Sequence, residues 1–171
     1  MVAVAGTPQQ PKVLDRRRIL IADPDVSCSK QPYHAAAELS STEAELLVRT
    51  STESSRAWAR EAVSSAVETL RSRGYQVIGC GLLLGSGREL PELQKILASH
   101  ALIHTAEGEM FRDAVAWAAR ACGLPLTTVR EKELTAEFLR PVASLGKQIG
   151  PPWTQDQKFA TAAAMLALHA E

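Results

Sequence analysis

The chain has 171 residues, 46% of them hydrophobic and 22% charged, with zero formal net charge at pH 7. That length favours one domain and buries roughly 70% of the unfolded surface, so a core forms without disulfides or metal. Neutrality excludes an overall field that recruits nucleic acid or an acidic membrane, and leaves only a local basic patch for a nucleic-acid partner.

Residues 1–12 hold Gly6, Pro8, Pro11 and two glutamines without periodicity. Together with the residues up to 17 they read as a flexible tail, followed by a single α/β domain over 18–171. The opening MVAVAG has no basic stretch before its short apolar run, which makes a poor signal peptide. No apolar run approaches the roughly 20 residues of a membrane span. Cys28, Cys80 and Cys122 are odd in number, widely spaced and form no CxxC pair. That pattern suits a reducing compartment, and the protein is expected to be soluble and cytoplasmic.

In chain order, Ile19-Leu20-Ile21-Ala22 closes on Asp23-Pro24-Asp25 and reads as the first strand. Residues 32–39 fit either a short strand or the lead-in to a helix; Pro32 argues against a helix interior, and the strand is favoured. Ser40 and Glu43 have capping-box spacing for a helix toward Arg73, stopped by Gly74. The polar run at 50–55 weakens its middle. Residues 75–84, YQVIGCGLLL, are the strongest strand signal. A helix is expected from about Glu92 to Ala121, a strand at Leu126–Val129, and a helix near Glu131–Leu145 interrupted at Pro141. Thr154 and Gln157 form a second capping box for an alanine-rich final helix. The alternation predicts a single layered α/β domain: a mixed or mainly parallel sheet of three to five strands flanked by helices. The long helix over 41–73, with Trp58 among alanines, is a candidate surface for a homodimer.

The main candidate site lies in residues 99–112, SHALIHTAEGEMFR. His100 and His104 stand four apart and Glu107 follows three later, a spacing that puts three metal ligands or acid–base groups on one helix face. If 92–121 is one helix, 100° steps place all three within the apolar stripe of Leu93, Ile96, Leu97, Ile103, Phe111 and Ala114. A kink at Ser99 or Gly108 would shift that placement. Polar groups in such a stripe are either satisfied structural groups or a site opening into a cleft. HExxH is absent.

Other candidates have simpler structural explanations. Asp23 stands at a strand end, where a carboxylate could hold a cation, but Asp-Pro-Asp is also turn chemistry. Gly85-Ser86-Gly87-Arg88 could cradle an anion with its backbone N–H groups, yet it matches no phosphate-loop pattern. Asp156 and Lys158 open the last helix, where Trp153 can anchor the chain. Tyr33-His34 belongs to no motif, and a lone histidine beside a strand reads as structural.

The run HTAEGEMFRDAVAWAARACGLPLTTVREKEL resembles the helix–strand unit of RuvC-type proteins in the RNase H-like superfamily, with its Ala-x-Gly element and Gly-Leu-Pro strand. ILIADPD resembles that family's first strand, and the helix after PPWTQDQK its last helix. The resemblance implies an RNase H-like fold and a two-metal nuclease, with Mg2+ held by Asp23, a residue near Cys80, and Asp156. The strand around Cys80 carries no carboxylate. The expected function is therefore a non-catalytic binding or assembly module. The alternative is a divalent-metal-dependent phosphoesterase or nuclease-like enzyme with a reduced carboxylate set, its cleft lined by Asp23, His100, His104, Glu107 and Asp156.

Overall fold

The computed structural model describes residues 1–7, 9–85, 87 and 89–170. It is a mixed α/β fold, mostly helical, with two two-stranded sheets among the described residues in place of the expected single sheet of three to five strands. The chain divides into two compact units. One comprises Met1–Ile19, Leu70–Leu84 and Gly123–Glu171; the other comprises Leu20–Thr69 and Gly85–Cys122.

The first unit begins with a β-hairpin where a flexible tail was expected. Strands β1 (Val2–Gly6) and β2 (Pro11–Arg16) pair antiparallel, with Val2 opposite Arg16 and Gly6 opposite Pro11. The turn needs Gly6: its φ is +95°, and a Cβ there would run into the Gln10 carbonyl. The Thr7 hydroxyl accepts the Gln10 N–H at 3.2 Å. The expected strand at Ile19–Ala22 does not form. A β-branched run becomes a strand only beside a ladder partner, and here the chain runs irregularly with Leu20 51% exposed.

Strands β3 (Cys80–Leu84) and β4 (Leu126–Arg130) pair parallel, Cys80 opposite Leu126 and Leu84 opposite Arg130. Only the second half of the expected 75–84 strand is in the ladder. Parallel neighbours require a long crossover, and the intervening chain supplies it with two helices. After β4, a single 3-10 turn at Glu131–Glu133 leads into α5 (Ala136–Ser144). The four-residue α6 (Gly146–Ile149) follows, and then α7 (Gln155–Leu168). Within the one helix expected near 131–145 the chain thus forms a 3-10 turn and then α5, and α5 runs through Pro141 where an interruption was expected. Thr135 caps α5 by accepting the Phe138 N–H, and α7 opens with the expected Thr154/Gln157 box.

Helix α7 packs on β1 and β3. Gly79 and Gly81 share one face of the chain entering β3, and Ala163 and Ala167 share one face of α7. A Cβ on Gly81 would overlap the Ala163 carbonyl, and one on Gly79 would stand 3.8 Å from the Ala167 Cβ. Val129, Leu134, Val142, Phe159, Ala162 and Ala163 form the core beside this contact, with Trp153 packed against it. Trp153 is the expected anchor: its indole N–H donates to the Val142 carbonyl at 3.2 Å. The Arg16 guanidinium donates to the carbonyls of Gly150, Pro151 and Pro152, tying the loop before α7 to the hairpin.

The second unit is helical. Residues 32–36 form α1 (Pro32–Ala36) and not a strand, because proline's fixed φ and missing N–H suit the first position of a helix. Helix α2 (Ser41–Ser72) is continuous through its polar run. The Thr50 and Thr52 hydroxyls donate to carbonyls one turn back, at 2.9 and 2.8 Å, so they do not compete with the helix. At its start the Ser40 N–H and hydroxyl both donate to the Glu43 carboxylate, at 3.1 and 2.6 Å. The hydroxyl is thus a donor where an acceptor was expected. Ala59, Val63, Ala66 and Val67 are buried within the chain, so this stripe of α2 is not a free face for a second copy. The helix expected over 92–121 is broken: α3 (Leu93–Leu97) ends at Ala98, and α4 (His100–Ala121) restarts after Ser99, whose backbone is extended. Ile96, Ile103 and Ala106 form the local core with Tyr33, Leu90 and Leu102. No helix among the described residues is long and apolar enough to cross a membrane.

Two outcomes test this description. Gly81→Ala should lower the unfolding free energy in urea by about 1–3 kcal/mol, because the added methyl meets backbone and not a movable side chain. The hydrogen bonds from Ser40 hold the Glu43 carboxyl below its ordinary value of 4.5. Its contribution to stability is therefore present above that value and is lost as pH falls through the lowered folded value. Glu43→Gln should flatten this part of the acid-unfolding profile.

Candidate metal centre

The break at Ser99 makes His100 the first residue of α4, and the Ser99 carbonyl accepts the Ile103 N–H at 2.9 Å. Over the first four turns the buried positions are Ile103, Ala106, Glu107, Met110 and Ala114; Ala116, Ala118 and Ala119 are buried beyond them. At 100° per residue, the inward stripe is centred between Ala106 and Ala114. Glu107 falls inside its edge, while His100 and His104 fall on the border and are exposed. The expectation that both histidines lie buried in the stripe is thus corrected. Phe111, counted in the apolar stripe, is only half-buried, and the helix is not continuous from 92.

Burial makes the Glu107 carboxylate demanding, because it is only 7% exposed and needs donors. Among the described residues, two donors come from His34, in the first turn of α1. The His34 backbone N–H, one of the free amides at that helix start, donates to Glu107 Oε1 at 3.2 Å. The His34 ring Nδ1 lies 3.0 Å from the same oxygen. A carboxylate only accepts, so Nδ1 is the donor to Glu107 and Nε2 is the nitrogen that a neutral ring would offer to an ion. Tyr33, alongside, has its phenol pushed above the ordinary value of 10.0 by burial and then by the nearby Glu107 charge, which keeps it protonated.

The fixed His34 ring meets the two histidines of α4. Ring centroids are 5.4 Å apart for His34–His100, 4.7 Å for His34–His104 and 4.5 Å for His100–His104, at interplanar angles of 80°, 62° and 87°. The rings meet edge to face and are not stacked. One nitrogen from each lies within 4.8 Å of the other two. A tetrahedral ion with metal–nitrogen bonds of about 2.0–2.1 Å holds its ligand atoms about 3.3 Å apart. The nitrogens are more widely spaced than that, so a bound ion would require the imidazoles to turn inward.

The other expected site residues are not gathered here. The Asp23 carboxylate accepts the Asp25 N–H at 3.0 Å within its own turn, and its carbonyl takes the Ser29 hydroxyl. This is the turn chemistry of an Asp-Pro-Asp sequence, and Asp23 does not stand at a strand end. Asp156 is exposed in the first turn of α7 and Lys158 is half-buried one turn into it; both belong to the other unit. Gly85 follows β3 with its backbone against Glu109 and Arg112, where a Cβ would come 2.6 Å from an Arg112 Nη atom. Gly87 has φ +67°. Ser86 and Arg88 lie outside the described residues, so no anion cradle is drawn from this loop.

His34 is the functional candidate that sequence reasoning missed. It lies far upstream of His100 in no motif, and its place depends on α1 docking on α4. The local signal for its place on a helix is Pro32, at the start of α1. Comparison with protein families, with curated proteins and with solved structures finds no match for this chain.

Replacing Glu107 tests the arrangement. Glu107→Ala strands two donors of His34 and should cost about 1–3 kcal/mol in urea unfolding. Glu107→Gln keeps an acceptor for both donors and should cost clearly less. Equal losses would mean that the carboxylate acts through its charge and not through these bonds.

Proposed function

We propose that the chain is a metal-binding module, in which His34, His100 and His104 hold one divalent transition-metal ion and Glu107 positions His34. The observation that supports this reading is the convergence of three imidazole nitrogens within 4.8 Å, one of them oriented by a buried carboxylate. Metal-bound histidines characteristically donate their second ring nitrogen to such an acceptor, which fixes the tautomer and strengthens the ligand. The donor set is all nitrogen. Imidazoles suit Zn2+, Cu2+ and Ni2+, whereas Mg2+ prefers oxygen ligands. The ion therefore differs in kind from the Mg2+ that a nuclease-like carboxylate set would hold.

The carboxylate-based phosphoesterase reading has less support. Asp23 is engaged in its own turn, and Asp156 belongs to a different unit from the histidines. The RNase H-like resemblance rests on sequence alone and adds no ligand to this centre.

Equilibrium dialysis against Zn2+ should give one ion per chain. His104→Ala, at an exposed position that leaves packing intact, should weaken binding about 10-fold or more, and Glu107→Gln should weaken it by about 10–100-fold through the His34 ring. Equal zinc uptake by the wild type and a variant lacking all three histidines would defeat the proposal.

A further inference from the structure

We infer that the loaded centre is hydrolytic: its fourth coordination position holds a solvent hydroxide that cleaves esters. This inference rests on the metal-binding reading above and extends it to a reaction.

Three observations carry it. Among the described residues, the cluster supplies three ligand atoms and no fourth. A structural zinc site is closed by four protein ligands, whereas three leave a position for water or substrate. Both α4 histidines are exposed, so the side of the ion away from His34 and Glu107 faces solvent and a substrate can reach it. Charge then selects the fourth ligand. Three neutral imidazoles leave a divalent ion with both its charges, and the Glu107 carboxylate behind His34 offsets one of them. The centre keeps a net positive charge beside the N-terminal end of α4, which adds a positive partial charge of its own. A water coordinated there would therefore be biased toward hydroxide. A divalent ion strongly lowers the pKa of its bound water, to about 7 in three-histidine zinc sites.

The reaction balances as a hydrolysis. A bound divalent ion, held by His34, His100 and His104, would supply a water that gives up a proton to solvent. Its oxygen would bond to the acyl carbon of the ester as the carbon–oxygen bond to the alcohol breaks. The departing alkoxide would take a proton from water, and the acid formed would lose its proton to the hydroxide left behind, leaving a carboxylate. No electrons are transferred, and one water is consumed per ester.

The test uses the full chain loaded with Zn2+ or Co2+ and p-nitrophenyl acetate as the ester. Hydrolysis should exceed that of the same concentration of free Zn2+ by about tenfold or more, and fall to the free-ion rate in His104→Ala. Acetate should compete with the ester. The visible bands of the Co2+ form should shift on adding acetate and on raising the pH through the ionisation of the bound water. If Co2+ binds one per chain but its bands ignore both acetate and pH, and no excess hydrolysis occurs, the inference fails while the metal-binding reading stands. If Zn2+ drives dimer formation and acetate has no effect, a second copy fills the fourth position and the inference fails. If neither ion binds, both readings fall.

Discussion

A carboxylate taken out of water loses hydration that only donors in fixed places can replace. Glu107 faces inward on α4, and among the described residues it takes two donors from one residue, His34. A single oxygen therefore joins two helices that are far apart in sequence. It takes up a free amide at the start of α1 and, through the ring, sets the tautomer and orientation of an imidazole. The positions of His100 and His104 follow from the restart of α4 at Ser99, but their meeting with a third histidine follows from Glu107. The Tyr33 phenol, held protonated first by burial, also registers the same charge.

The helix-forming parts of the fold were legible because their signals are local. Thr154 and Gln157 announce α7, Gly74 marks where α2 has stopped, and the Leu126–Val129 run does become a strand. The errors came where the deciding partner is distant. Ile19–Ala22 has strand composition and no ladder neighbour, whereas the less apolar hairpin at the N-terminus is made by a tight glycine turn that pairs its two arms. Residues 75–79 look like the strand they lead into, but the ladder with Leu126–Arg130 starts at Cys80.

The candidate site divides along the same line. His100, His104 and Glu107 are visible as a spacing on one helix, so the sequence pointed to the right turn of α4. It did not show which of the three faces water, because that depends on where the helix begins and on which neighbours cover it. His34 was invisible as a partner, since no spacing rule links positions joined only by tertiary packing. Asp23 and Asp156 misled in the opposite way: each has a local explanation, a turn and a helix start, that accounts for it fully.

The close approach of β3 to α7 places a different kind of limit on this protein. At most core positions a larger side chain can be offset by a smaller one opposite. Position 81 allows no such exchange, because the atoms in the way are the carbonyl of Ala163 and the amide nitrogen of Ala164, which every residue carries. Trimming Ala163 to glycine would free no room. Any lineage that keeps this helix at this distance from the strand must keep glycine there, whatever happens around it. A side chain at position 81 would thus mark a relative in which the helix has moved away, and with it the packing of Phe159 and Val142 beneath.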